Sequence, residues 1–171
     1  EAQELAAQTY GSDACFWAVN GTSQAIHAML LIALNPGEKL LLPRNAHRSV
    51  AGGLVLGGIE AVYLQPEDQP EFGIQMQVTV QQIEAALAQD SKIKAVLLTS
   101  PNYYGVLSEI EDIALEAHAA GKVLIVDQAH GAHLKFFDEG ARKKRAAENL
   151  RADLVVNSTH KTLMSFTGTA I

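Results

Sequence analysis

Short apolar runs alternate with amphipathic segments along the whole chain, and this alternation constrains the fold more than any other feature of the sequence. Apolar residues spaced three to four positions apart predict helices between the apolar runs, which have the composition of strands. Continuous apolar strands separated by helices are typical of a parallel sheet that is covered on both faces. We therefore predict an α/β fold, a three-layer αβα sandwich with a mostly parallel mixed sheet.

The bounds of the predicted elements follow from these runs and from Gly and Pro residues at the expected helix ends. The predicted strands span residues 14–19, 39–42, 61–64, 95–99, 123–126 and 154–156. The predicted helices span residues 23–34, 47–57, 80–89, 109–119 and 141–150. The polar stretch 65–77 contains two prolines and is predicted to be a surface loop.

Composition limits the number of domains and the kinds of partner. A chain of 171 residues with 48% hydrophobic residues can bury one sizeable core, so a single domain is expected. A net charge of -6 argues against nucleic acid or an anionic membrane as the main partner, and the basic cluster 142–145 is interpreted as a solvated helix face. The apolar stretch 25–34 is too short for a membrane span. Cys15 is the only cysteine, which excludes an internal disulfide and fits a cytoplasmic protein.

An acid and an amine follow two of the predicted strands. Asp127 ends the run 123–126, and Lys161 comes shortly after the run 154–156. A lysine in an apolar pocket has a lowered pKa and becomes a nucleophile toward an aldehyde, while a buried carboxylate needs a partner such as a protonated pyridine nitrogen. Together they are what an enzyme of pyridoxal 5'-phosphate (PLP) needs. Taken singly, a surface lysine and a carboxylate in a salt bridge or helix cap are the alternatives.

The segment that leads into the first predicted helix is suited to a phosphate group. Gly21 lets the backbone turn and approach a ligand closely. Thr22 and Ser23 place hydroxyl groups beside the free N–H groups at the start of the helix, where anions bind. An ordinary N-cap is the alternative for these two hydroxyls. Ser158 and His160, just before Lys161, can reach the same phosphate from the other side.

Polar rings or amides also follow three of the predicted strands. The imidazole of His47 can stack on an aromatic cofactor, or simply face solvent from its loop. Asn102 can donate a hydrogen bond to the phenolic oxygen of the cofactor, or only form a Pro-Asn turn. His130 and His133 lack a nearby cysteine or a clear third ligand, so a zinc site is disfavoured, no metal is predicted, and His130 is interpreted as lining the active site.

Four motifs in register resemble one family. Residues 20–23, 44–49, 127–133 and 158–163 are similar to the major domain of the bacterial ornithine/lysine/arginine decarboxylases, which have the aspartate-aminotransferase fold (fold type I). The resemblance covers essentially the whole chain and implies a PLP-binding major domain over residues 1–171. It implies that Lys161 carries the Schiff base with PLP, that Asp127 binds the pyridine nitrogen and that His47 stacks on the ring. The residues it implies for the phosphate are Thr22, Ser23, Ser158 and His160.

The same resemblance implies decarboxylation of arginine, lysine or ornithine to the amine and CO2, by a homodimer or higher homo-oligomer. His130 departs from the large inducible members, which have tryptophan there, so the substrate stays open. The chain has no starting methionine and stops where a new strand would begin, so it is expected to be a fragment that lacks the small domain and is inactive alone.

Other readings of the site stay open at this point. An α-oxoamine synthase shares the stacking histidine, but such enzymes carry Ser-Lys followed by glycines, whereas Lys161 lies in Thr-His-Lys-Thr-Leu. An aminotransferase is disfavoured because a flat aromatic side chain is expected in place of His47. A homologue that binds PLP without turnover is the remaining alternative.

Overall fold

The computed structural model of the chain describes residues 1–171 and contains seven strands and seven α-helices. The strands are β1 (Lys39–Pro43), β2 (Glu60–Leu64), β3 (Asp68–Gln69), β4 (Ile74–Gln75), β5 (Ile93–Thr99), β6 (Val123–Asp127) and β7 (Leu154–Val156). The helices are α1 (Ala2–Tyr10), α2 (Gly21–Ala33), α3 (Arg48–Gly57), α4 (Val80–Gln89), α5 (Ile110–Ala119), α6 (Leu134–Phe137) and α7 (Thr159–Thr162). A 3-10 turn covers Ala147–Asn149.

Five strands form one sheet in the order β2-β1-β5-β6-β7, and every neighbouring pair is parallel. The register places Thr99 of β5 beside Asp127 of β6, and Asp127 beside Val156 of β7. The chain runs from β1 outward to β2 and then returns to the other side of β1 with β5. The strand order therefore reverses between β1 and β5, the place where ligands bind in sheets of this kind.

Helices cover both faces of the sheet, because successive strand residues point to opposite sides. On one face Leu41, Val96 and Leu124 pack with residues of α4 and α5. On the other face Leu40, Leu97 and Ile125 pack with residues of α2 and α3. The predicted three-layer αβα fold is confirmed, and within the described chain the five-stranded sheet is wholly parallel.

Local signals set several helix ends. Thr79 and Gln82 form a capping box at the start of α4, each side chain bonded to the other's backbone N–H. α1 and α3 end at Gly11 and Gly58, which adopt left-handed backbone conformations with φ of 69° and 60°. The longest helix, α2, has 13 residues, and none of the helices combines the length and apolar character that a membrane span requires.

Two predicted elements are wrong. Residues 14–19 form no strand: only Ala18 pairs, in an isolated antiparallel bridge with Ala170, so the apolar run has no strand beside it. Residues 141–150 form no α-helix beyond the 3-10 turn, because the Asp138 carboxylate accepts hydrogen bonds from the backbone N–H groups of Arg145 and Ala146 and holds the segment in a loop. The basic cluster 142–145 is exposed as expected, but it lies on this loop instead of a helix.

The predicted loop 65–77 contains the small antiparallel hairpin β3–β4, and its last residues turn back toward the sheet. Gln77 donates a hydrogen bond to the backbone carbonyl of Val106, and the Asn102 amide donates to that of Gln75. The segment is therefore anchored to the loop that follows β5 and does not run free over the surface.

Candidate active site

A cleft of about 360 Å³ opens at the carboxyl ends of β1, β5 and β6, where the strand order reverses. It gathers side chains from the loops after all three strands, from the start of α2 and from α7. The lining residues are Thr22, Ile26, Asn45, His47, Gly73, Gln75, Gln77, Thr99, Asn102, Tyr103, Tyr104, Asp127, Ala129, His130 and Lys161. Six of the sequence-predicted site residues are thus brought together: Thr22, His47, Asn102, Asp127, His130 and Lys161.

A larger and more open groove of about 840 Å³ lies between α1 and the residues that follow α7. Its lining is mostly apolar, with Trp17, Phe136 and Phe166 among its side chains, and it contains no carboxylate, imidazole or amine. Groups that move protons or bind charge are what a catalytic site requires. The smaller polar cleft is therefore the candidate active site.

Asp127 is the buried acid of this cleft, with 3% of its surface exposed. Its Oδ1 accepts a hydrogen bond from the backbone N–H of Ala129 at 3.1 Å, and no cation lies within ion-pair distance of the carboxylate. Burial raises the pKa of Asp127, and the Ala129 hydrogen bond and the nearby side chains of His47 and Lys161 offset only part of that rise. The buried carboxylate of Asp127 therefore has fewer stabilising partners than a buried negative charge needs.

Lys161 reaches the cleft from α7, the short helix after β7. Its Nζ lies 3.3 Å from Nε2 of His130, which follows Asp127 on the loop after β6. Burial lowers the pKa of His130, and the nearby side chains of Lys161 and His47 lower it further. A neutral imidazole can accept a hydrogen bond from an ammonium group, so His130 is suited to hold a proton of Lys161. Tyr103 packs edge-on against the His130 ring, with 5.8 Å between ring centres.

His47 lies across the cleft, immediately before α3. Its Nδ1 accepts a hydrogen bond from the backbone N–H of Ser49 and lies 2.7 Å from the Ser49 hydroxyl. The ring therefore caps the helix, since the first N–H groups of a helix have no partner within it. These two contacts fix the orientation of an imidazole that is otherwise exposed to the cleft.

The start of α2 forms another wall. Gly21 has a φ of 74°, a conformation that favours glycine, and Thr22 lines the cleft directly after it. The N-cap residue Asn20 makes no capping hydrogen bond with its side chain. The first N–H groups of α2 are thus left for an anion, which the helix dipole also favours.

Asn102 lines the cleft, but much of its side chain is engaged in the loop after β5. Its Oδ1 accepts hydrogen bonds from the backbone N–H groups of Tyr104 and Val106, and its amide nitrogen donates to the carbonyl of Gln75. This is the bonding that a Pro-Asn turn needs. One amide hydrogen is left for a ligand, so the predicted hydrogen bond to a cofactor stays a prediction.

Gly21, Ser23, Ser158 and His160 do not line the cleft themselves. Ser23 is exposed at the start of α2. Ser158 is fully buried, with its hydroxyl 3.3 Å from Nδ1 of His160, and the same nitrogen lies 3.0 Å from the carbonyl oxygen of Thr169. Their predicted contact with a phosphate stays a prediction.

Sequence reasoning missed several lining residues. Thr99, beside Asp127 in the sheet, has a buried hydroxyl without a hydrogen-bond partner in the chain. It ends a strand, which is the signal that identified Asp127. Gln75 and Gln77 lie in the predicted surface loop, and only the path of the hairpin brings them to the cleft.

Comparison with known proteins identifies the family. Residues 1–171 match the sequence model of the family described as Orn/Lys/Arg decarboxylase, major domain. The chain is 37% identical over 171 residues to the arginine decarboxylase of Bacillus cereus, which covers 100% of this chain and 36% of that protein. It thus spans about a third of the length of the curated arginine decarboxylases it matches.

Two solved structures show the likeness in three dimensions. Lysine decarboxylase A from Pseudomonas aeruginosa superposes with a TM-score of 0.85 at 27% identity, over 99% of this chain and 25% of that one. Aspartate aminotransferase from Thermotoga maritima superposes with a TM-score of 0.74 at 19% identity, over 99% of this chain and 45% of that one, a likeness of fold alone. The fold is that of the fold-type I PLP enzymes, and the chain belongs to the Orn/Lys/Arg decarboxylase family.

Proposed function

We propose that the chain is the PLP-binding major domain of an enzyme that decarboxylates a basic amino acid, arginine, lysine or ornithine, to the corresponding amine and CO2. The observation that carries this proposal is that the buried acid Asp127 and the amine of Lys161 line one cleft with the imidazole of His47. The relatives named arginine decarboxylase and lysine decarboxylase support the reaction and the substrate class.

The polar groups of the cleft fit PLP. Asp127 offers a buried carboxylate that lacks a cation, which suits a protonated ring nitrogen, and the unpartnered hydroxyl of Thr99 lies beside it. His47 would stack against the ring, and Lys161 would be the point of covalent attachment. Thr22 and the first N–H groups of α2 would hold the phosphate. The remaining residues proposed to contact it are Gly21, Ser23, Ser158 and His160. His130 and Asn102 would complete the wall of the cleft.

When bound, PLP supplies an electrophile for amines and a sink for the electron pair that the departing carboxylate leaves behind. Lys161 can act as a nucleophile only after it loses a proton. The neutral imidazole of His130, 3.3 Å from Nζ, can accept a hydrogen bond from the ammonium group and so orient Nζ in the cleft. The charge of Asp127 stabilises positive charge on the facing group, because opposite charges interact strongly in a buried site.

The remaining expectations about the whole protein are part of this proposal. A homodimer or higher homo-oligomer in the cytoplasm, acting in polyamine formation, is what the family resemblance implies. His130 in place of tryptophan leaves the choice among arginine, lysine and ornithine to experiment.

The test uses the full-length parent protein loaded with PLP and incubated separately with arginine, lysine and ornithine. Mass spectrometry then looks for agmatine, cadaverine or putrescine. One dominant amine is expected, and Lys161→Ala should abolish it while Lys143→Ala, which changes an exposed lysine away from the cleft, should not. No amine from any of the three substrates would contradict the proposal and favour another fold-type I reaction or binding without turnover.

A further inference from the structure

A buried polar network lies next to the candidate active site and outside its lining. The Gln128 side chain, 0% exposed, donates from Nε2 to both carboxylate oxygens of Glu148, at 3.0 and 2.9 Å, and to Oδ1 of Asn157 at 2.9 Å. Asn157, 3% exposed, donates from Nδ2 to the Glu148 carboxylate as well. Gln128 Oε1 accepts from the backbone N–H of Ala147 at 2.7 Å. One carboxylate therefore binds two buried amides.

The two amides belong to the two segments that carry the acid and the amine of the site. Gln128 directly follows Asp127 at the end of β6, and its backbone N–H donates to the carbonyl of Val156 on β7. Asn157 directly follows β7 and precedes the short helix that contains Lys161. Glu148, on the 3-10 turn, thus links the two residues that directly follow neighbouring strands. The same carboxylate is bonded to both segments.

Tight packing prevents Gln128 from adjusting freely. A Cβ atom added to Gly131 would lie 2.6 Å from Cγ of Gln128 and 2.7 Å from Cδ of Pro101, closer than real contacts of this kind. Glycine at this position lets the chain after β6 pass against the Gln128 side chain. The amide is therefore held on one side by packing and on the other by Glu148 and Asn157.

Stability alone does not explain why a polar network lies at this place. Glu148 is half-buried and takes part in none of the three ion pairs of the chain, so its partners within the network are neutral amide donors. Replacing buried charged or polar networks by well-packed apolar residues is often neutral or stabilising. Fully satisfied polar networks instead fix one arrangement of the groups that they join.

We propose that Glu148 is a positioning residue, whose carboxylate, by binding Gln128 and Asn157, fixes the separation of Asp127 and Lys161 across the cleft. This inference rests on the proposed function in that Asp127 and Lys161 are taken as the groups that hold PLP. Glu148 does not line the cleft, so it acts through its two amide partners.

The test compares Glu148→Gln with Glu139→Gln in the full-length protein; Glu139 is an exposed carboxylate on the same connection between β6 and β7. The expected result for Glu148→Gln is a kcat lower by roughly tenfold to a hundredfold, since small displacements of reacting groups cost that much, with KM little changed. The pH midpoint of the lysine-bound cofactor's visible absorption should shift, and the dissociation constant for PLP should rise. Glu139→Gln should match the wild type in all three.

A lower thermal midpoint with unchanged kcat, absorption midpoint and PLP affinity would show a purely structural role and overturn the proposal. Gln128→Met, which keeps the length of the side chain, provides a second route, and its effects should not add to those of Glu148→Gln because the two residues act through one network. If both variants fail to fold, the network serves folding and the proposal is overturned. A wild type that makes no amine contradicts the proposed function only, since absorption and PLP affinity still report on Glu148.

Discussion

Two aspartates near β6 differ in what surrounds their carboxylates. Asp127, at the end of the strand, has one hydrogen bond, from the backbone N–H of Ala129. Asp138, after α6, accepts from the backbone N–H groups of Arg145 and Ala146 and from the side-chain amide of Asn149. Both are buried, with 3% and 1% of their surface exposed. Their exposed fractions are alike, and they differ in the number of hydrogen-bond partners.

The pKa values diverge accordingly. Burial raises the pKa of both carboxyls, since a charge is less stable away from water. At Asp138 the hydrogen bonds from Arg145, Ala146 and Asn149 outweigh burial, and the pKa falls below its usual range. At Asp127 burial dominates and the pKa lies above its usual range. A buried carboxyl with a raised pKa in a cleft is a candidate functional group, whereas a fully bonded carboxylate such as that of Asp138 holds the loop after α6 in place.

Replacing Asp127 by Asn in the full-length protein should reduce activity far more than replacing Asp138 does. Loss of a charge aimed at the reacting group should reduce kcat/KM by about 10²- to 10³-fold. The cofactor-free variant should nevertheless unfold at a higher denaturant concentration than the wild type at neutral pH, because it no longer buries a poorly partnered charge. Steady-state kinetics and urea denaturation measure the two effects. Retained activity, or a loss of stability, would reverse the assignment of Asp127.

Replacing Asp138 by Asn should lower the stability of the protein and leave its activity nearly unchanged. Oδ2 of Asp138 accepts from the N–H groups of Arg145 and Ala146 and from the Asn149 amide, and an Asn oxygen placed there would keep these three hydrogen bonds. The new NH2 group would then face the Arg145 N–H, and the bonds would lose the strength that the negative charge adds, so the free energy of unfolding should fall by about 1–2 kcal/mol. Activity per folded molecule should stay near that of the wild type, because Asp138 does not line the cleft. Glu139→Gln, an exposed neighbour, should change the free energy by no more than about 0.5 kcal/mol.

The place of Asp127 at the cleft could be predicted from the sequence, whereas the contacts of Asp138 with the loop 141–150 could not. Asp127 and Lys161 follow apolar runs, and the carboxyl ends of neighbouring parallel strands meet at one edge, so their proximity follows from local patterns. The contacts of Asp138 with Arg145 and Ala146 depend on how the chain folds back on itself. That non-local contact overrides the helical pattern of residues 141–150, which is why the predicted helix is absent.

The difference between local patterns and non-local contacts also explains which other strands, helices and cleft residues could be predicted. Strands β1, β2, β5, β6 and β7 and helices α2 to α5 lie within two residues of their predicted bounds, because apolar period, Gly and Pro act locally. The strand predicted at residues 14–19 failed since apolar composition cannot reveal whether a partner strand is present. Gln75 and Gln77 reach the cleft only because the β3–β4 hairpin is anchored to the loop after β5.

The pH dependence of stability should separate the two aspartates. The folded pKa of Asp127 exceeds the unfolded value of about 3.9, so its contribution to stability is fully present below that pH and is lost as pH rises through the folded pKa. For Asp138 the folded pKa is lower, so its contribution is present above about pH 3.9 and is lost as pH falls through the folded pKa. The stability gained by Asp127→Asn should therefore vanish on acidification, as should the stability lost by Asp138→Asn. Urea titrations of the cofactor-free proteins across the acidic range measure both differences, and parallel curves for the two variants would contradict the comparison.

In the cofactor-free protein, removing the charge of Lys161 should shift only the pKa values of its neighbours, the smallest of the expected effects. The positive charge of Lys161 lowers the pKa of Asp127 and of His130, so Lys161→Met in the cofactor-free protein should raise both. Asp138, whose partners lie outside the cleft, should keep its pKa. NMR titration of the carboxyl and imidazole signals measures all three groups in one sample. Equal shifts at Asp127 and Asp138 would mean that the two carboxylates share one electrostatic environment, whereas shifts confined to Asp127 and His130 would establish the cleft as a separately coupled set of charges.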